Sequence, residues 1–180
     1  METYAALLRG INVGGSNVIK MEDLKKTFEE LGLSGVKTYI ASGNIIFKSD
    51  ENDKAKLTKL IEKRLLERYK ADIRLVIVSF REYKKIIEKA PVGFGKESKI
   101  RRYDAWFLME PLTAEEVLHQ VSLREGVDAI YSGKGVVYAS RLISMAGKSH
   151  LIRVNKMPIY QNMTVRSWNT TVKLFELMNT

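Results

Sequence analysis

Val36-Lys37-Thr38-Tyr39-Ile40-Ala41-Ser42-Gly43-Asn44-Ile45-Ile46-Phe47-Lys48 is the stretch on which the fold turns. Two β-branched and aromatic runs, Val36 to Ala41 and Asn44 to Lys48, flank Ser42-Gly43 in the manner of antiparallel strands joined by a tight turn. Upstream, Met21, Leu24, Phe28 and Leu31 recur at helical spacing, with Lys25, Lys26, Glu29 and Glu30 on the other face and Gly32 as the stop. Before that helix, Tyr4 to Leu8 is a continuous apolar run of strand length, and a Gly- and Asn-rich loop follows it from Gly10 to Asn17. Downstream, Leu57, Leu60, Ile61, Leu65 and Leu66 mark a second, strongly basic helix ending near Tyr69, and Ile73 to Ser79 reads as a strand. The order strand, helix, strand, strand, helix, strand is the split βαβ, or ferredoxin-like, plan.

Working outward again, Ser79-Phe80-Arg81-Glu82 is a Ser-x-x-Glu capping box, which predicts an extra helix with Phe80, Tyr83, Ile86 and Ile87 inward. Pro91, Gly93 and Gly95 then break the pattern. The second half repeats the plan with a strand over 103–109, a helix from Thr113 and a hairpin around Gly133-Lys134-Gly135. A short helix over 149–155, a strand over 163–166 and a final helix capped by Ser167 complete it. Ser167-Trp168 and Leu174-Phe175 match Ser79-Phe80 and Ile86-Ile87 at one common offset. The expectation is an α+β chain of tandem ferredoxin-like βαββαβ units with antiparallel sheets, each followed by an extra helix. The first unit covers 1–90 and the second 91–180, with 91–102 as linker. Neighbours such as Leu7 and Leu8, or Ile45 and Ile46, are both apolar and point to opposite faces. Both faces of the first sheet must therefore be covered, which argues against an open RNA-binding platform.

The chain has 180 residues, no cysteine, two histidines and a formal charge of +9. Disulfides, thiolate metal sites and a cysteine nucleophile are excluded, and no cofactor or metal is expected. Arg9 interrupts the apolar run Ala5 to Leu8, so it reads as a strand and not as an export signal. No segment has the roughly 20 apolar residues of a membrane span. A cytoplasmic protein without a membrane partner is expected. The charge favours anionic partners. Between Ala129 and Phe175 the chain carries Lys134, Arg141, Lys148, Arg153, Lys156, Arg166 and Lys173 and no acidic residue, a surface suited to phosphates.

In this topology the loop after the first strand and the turn between the second and third strands lie at one end of the sheet. Arg9, Asn12, Gly14, Gly15, Ser16 and Asn17 are expected to approach Ser42, Gly43 and Asn44. Glycine there exposes main-chain N–H groups, Arg9 offers a planar fork, and Asn or Ser supplies neutral hydrogen bonds, a set suited to a small anionic or phosphorylated ligand. The competing reading makes the glycines turn formers and the asparagines local caps. A second cluster, Thr164, Arg166, Trp168, Asn169 and Thr170, joins the last strand to the last helix. Arg166 and Asn169 are candidates to complete the pocket. Gly10-Ile11-Asn12-Val13-Gly14-Gly15 is not a dinucleotide fingerprint, and Ala146-Gly147-Lys148-Ser149 lacks the first glycine of a phosphate-binding loop. His119 reads as an exposed helical residue, and His150 beside Ser149 has no acid near in sequence.

The strings Tyr4 to Gly15, Tyr39 to Phe47 and Met163 to Thr170 resemble the bacterial family called domain of unknown function 1697, with similarity over essentially the whole chain. Its last motif usually reads Thr-Thr-Arg-Asn-Trp-Asn-Thr. Here Val165 and Ser167 depart from that pattern, while Thr164, Arg166, Trp168, Asn169 and Thr170 match. The resemblance implies tandem α+β units and says nothing of activity, leaving enzyme status and oligomeric state open. Expected from the residues is a protein that holds a small anion between the strand-one loop and the 42–44 turn. The alternatives are a nucleic-acid-binding protein using the acid-free second unit and, by fold analogy, an acylphosphatase-like hydrolase with an Arg and an Asn on the phosphate.

Overall fold

The computed structural model describes residues 1–15 and 18–180. The chain divides into two compact units, Met1–Lys84 with Leu174–Thr180, and Lys85–Lys173. It is an α+β protein with two four-stranded antiparallel sheets. The first unit runs β1 (Glu2–Leu8), α1 (Met21–Glu29), β2 (Ser34–Tyr39), β3 (Asn44–Ser49), α2 (Lys54–Tyr69), β4 (Leu75–Ser79), with sheet order β2-β3-β1-β4. Helix α3 (Phe80–Glu88) follows. The second sheet has the order β6-β7-β5-β8, from β5 (Arg101–Leu108), α4 (Ala114–Gln120), β6 (Asp128–Gly133), β7 (Val136–Leu142) and β8 (Met163–Ser167), and helix α5 (Trp168–Met178) ends the chain.

The stretch that decides the fold forms its two strands, but β2 ends at Tyr39, two residues before the sequence pattern does. Ile40 takes a left-handed φ of 49°, which no strand continues and which a β-branched residue rarely adopts. Between Ser34 and Lys37 the β2–β3 register shifts, a bulge on an edge strand. One face of the first sheet carries Tyr4, Ala6, Leu8, Ile45 and Phe47 into a core with Leu24 and Phe28 of α1 and Leu57, Ile61 and Leu65 of α2. Phe47 stacks on Tyr4 and meets Phe28 edge-on, at centroid separations of 5.6 and 5.7 Å. The apolar stripe of α2 is narrower than its sequence suggests, since Leu60 and Leu66 are exposed. The opposite sheet face is buried too, through Ala5, Leu7, Ile46 and Val78.

Two capping boxes form, the expected one at Ser79 and a second at Thr113. The N–H of Ser79 donates to Glu82 Oε2 and that of Glu82 to Ser79 Oγ, while Thr113 and Glu116 exchange the same pair at the start of α4. In the second unit, Trp106, Leu108, Val117, Val137 and Met163 build the core on one sheet face. On the other, the Tyr138 hydroxyl donates to Ile86 O at 2.7 Å, and burial pushes its pKa up to about 12. Phe94 meets Tyr103, Tyr138 and Trp168 edge-on.

One element differs in kind from expectation. Where a helix over 149–155 is expected, the chain forms three 3-10 turns, Ala146–Lys148, Leu151–Lys156 and Pro158–Asn162. Its physical cause is local. Ser149 turns its hydroxyl to Asp128 Oδ1 at 2.6 Å and accepts the Leu151 N–H, and Pro158 has no N–H to continue a ladder. Asp128 also accepts the N–H groups of Arg124 and His150. Burial pushes its carboxyl up, but the hydrogen bonds from Ser149, Arg124 and His150 overcome that and hold it below the ordinary aspartate value. A depressed folded-state pKa means stability that is present above the unfolded value and is lost as pH falls through the folded one. Asp128→Asn is therefore expected to be less stable than the parent at pH 7, with a narrower gap at a pH below the unfolded aspartate value of about 3.9. Urea midpoints at both pH values read this directly, and a gap independent of pH would contradict it.

Candidate functional site

The fold brings the strand-one loop and the β2–β3 turn together. Leu8 N donates to Gly43 O at 2.9 Å, Arg9 N to Arg74 O at 2.8 Å, and Ile11 packs on Gly43. Asn12, at φ 54°, is the staple. Its Nδ2 donates to Ile19 O and to Ala41 O at 3.0 and 2.7 Å, and its Oδ1 accepts from Ile19 N at 2.7 Å. Asn44 is fully buried, its Nδ2 donating to Tyr39 O and to Ser42 Oγ. These two amides hold main chain, the local capping role that competes with ligand binding.

Gly43 is fixed by packing, because a Cβ there would lie 2.8 Å from Leu8 Cβ and 2.9 Å from Ile11 Cδ1. At Gly14 and Gly15 the same atom would meet nothing within 4 Å, and both residues are exposed. Arg9 and Ser42 are half-buried. Val13, Val18 and Ile40 stand exposed nearby in sequence, Ile40 in its strained conformation. Ser16 and Asn17 lie outside the described residues.

Arg166 and Asn169 belong to the second unit. Arg166 is buried on β8, its Nη1 donating to Thr164 Oγ1 at 2.8 Å and to Val165 O at 2.9 Å, with Thr164 on the same strand face as alternation requires. Asn169 is exposed in the first turn of α5. His119 is exposed. His150, without an acid near in sequence, is brought to Asp128 by the fold. Its main-chain N–H meets that carboxylate, and its Nδ1 lies 3.5 Å from Ser122 Oγ. Among the described residues no group of three or more metal-ligating side chains occurs, and no helix is long and apolar enough to cross a membrane.

Sequence reasoning misses a cleft of about 370 Å³ in the second unit, between the sheet and the 3-10 turns, bounded by Arg102, Arg141, Trp106, Leu151 and Tyr160. The one signal for it is Pro158, which has no N–H with which to continue a helix through the crossover.

No curated protein matches the chain. Among solved structures, a conserved bacterial protein, SP0830 of Streptococcus pneumoniae, is similar, with 28% identity over 98% of each chain and a TM-score of 0.86. The family match ends before the Met163 to Thr170 string, so only the first two of the three resembling strings fall within it. Residues 1–138, from β1 into β7, match the family described as protein of unknown function (DUF1697), and the chain belongs to that family.

Proposed function

We propose that this is a cytosolic protein that binds a small phosphate-bearing anion at the strand-one loop, with Arg9 as the cation and the main-chain N–H groups of Gly14 and Gly15 as the cradle. The observation that carries the reading is the contrast within one loop. Asn12, Gly43 and Asn44 are consumed in rigid scaffolding, whereas the Gly14-Gly15 pair beside them is exposed with open space around it. A stapled loop keeps its amides pre-arranged, which lowers the ordering cost of binding. Strain stored at exposed Ile40 accords with a site at this rim.

The alternatives lose support from particular residues. An acylphosphatase-like reaction needs a free amide, and that of Asn12 is engaged with Ile19 and Ala41. The acid-free surface loses Arg166 to the interior. We further propose that the two sheets are a ferredoxin-like duplication. Leu7 lies between Asn44 and Val76 as Phe107 lies between Val136 and Thr164, and Ala5 between Ile46 and Val78 as Ala105 between Tyr138 and Arg166. Val76 and Val78 thus correspond to Thr164 and Arg166.

Titrating inorganic phosphate and phenyl phosphate while following amide chemical shifts tests the site. Shifts confined to residues 9–19 and 40–44 are expected, with affinity reduced at least about tenfold in Arg9→Met, the scale of one charge-assisted contact. Shifts elsewhere, or an unchanged Arg9→Met titration, would remove the site. Binding of mixed oligonucleotides that collapses steeply with salt would favour the nucleic-acid alternative instead.

A further inference from the structure

We propose a second binding site, in the cleft of the second unit, for a small organic carboxylate with a flat apolar body. In the first unit the crossover between the third and fourth strands is the 16-residue α2, which closes the sheet face through Leu57, Ile61 and Leu65. The corresponding crossover in the second unit is the run of 3-10 turns, whose Leu151, Val154 and Ile159 pack on the apolar part of the face. The resulting space, about 370 Å³, has Trp106, Ala139 and Val165 on the sheet and Leu151 and Tyr160 on the turns, within the size range of small-molecule sites.

Charge at its mouth is unbalanced. Arg102 and Arg141 are direct cross-strand partners, an arrangement of like charges that destabilises a sheet unless an anion intervenes. Arg102 is satisfied by Asp104, its Nε donating to both carboxylate oxygens at 3.0 and 3.2 Å. On its other side Arg141 faces Asp128, whose carboxylate instead serves Ser149, His150 and Arg124. Among the described residues the half-buried Arg141 guanidinium makes no hydrogen bond or ion pair. A carboxylate accepts two parallel N–H bonds from such a fork, while an aromatic body fits against Trp106 and Tyr160. Asp104 in the same lining opposes a second negative charge, which favours a monoanion over a phosphate dianion.

Calorimetric titration with 2-naphthoate, neutral 2-naphthamide and inorganic phosphate tests the assignment. Naphthoate is expected to bind at least about tenfold more tightly than the amide, and phosphate not to compete with it. Arg141→Met should erase the difference between acid and amide, and Arg141→Lys, which keeps the charge without the fork, should retain only part of it. No naphthoate binding at millimolar concentration, equal binding of acid and amide, competition by phosphate, or an unchanged Arg141→Met would each overturn the proposal. Arg9→Met leaves this site intact, so its failure and that of the loop site are separable.

Discussion

Gly95→Ala is expected to lower stability by about 3 kcal/mol, the sum of left-handed backbone strain and overpacking. Gly95 sits at φ +85°, and a Cβ there would lie 2.4 Å from Trp168 Cδ1 and 2.7 Å from its Nε1. The indole has nowhere easy to go. Trp168 is buried and meets both Phe94 and Tyr138 edge-on, at 5.0 and 6.1 Å, so a shift of the ring propagates through the aromatic cluster. In a chain of this length the loss corresponds to a fall in Tm of roughly 6–12 °C. Gly93→Ala is the control, since φ +78° carries the backbone strain but nothing stands within 4 Å. Its cost should stay near 1 kcal/mol. If urea unfolding gave the two variants equal losses, the close approach to Trp168 would not be what fixes glycine at 95.

Gly43→Ala should have a comparable effect, about 3 kcal/mol, for a different reason. The obstructing atom is Leu8 Cβ, which sits on the backbone of β1 and cannot rotate away. Leu8 is held on one side by its N–H bond to Gly43 O and on the other by pairing with Leu75. Relief would have to come from the turn, which is stapled by Asn12. Gly14→Ala, with open space around it, should lose only about 1 kcal/mol while perturbing phosphate binding. The pair separates scaffold from rim: stability should follow position 43, and ligand shifts position 14. A Gly43→Ala variant as stable as Gly14→Ala would contradict the packing account.

Much of this architecture is legible because its causes are local. Met21, Leu24 and Phe28 recur at helical spacing, Ser79 and Glu82 sit at capping distance, and the hairpin around Ser42-Gly43 announces itself by composition. The meeting of the strand-one loop with that hairpin follows from strand order alone. What an asparagine does there does not follow. Whether the amide of Asn12 or Asn44 faces a ligand or the main chain depends on carbonyls at Ala41 and Tyr39 whose directions only the folded turn sets. Arg166 shows the same limit, since an alternating strand reads identically whether a polar face is solvated or buried. The cleft was hidden for another reason. It is made by the lack of a helix, and its two arginines are 39 positions apart, brought side by side only by register.

The bulge in β2 has a bearing on life at high concentration. A straight outer strand offers a continuous row of main-chain donors and acceptors on which a second copy could crystallise into a growing ribbon. At Ser34 to Lys37 that row loses its spacing, with exposed Gly35 at φ +60° and Lys37 adding a charge. An incoming strand cannot stay in step past the irregularity. It is a built-in brake on sheet-edge aggregation.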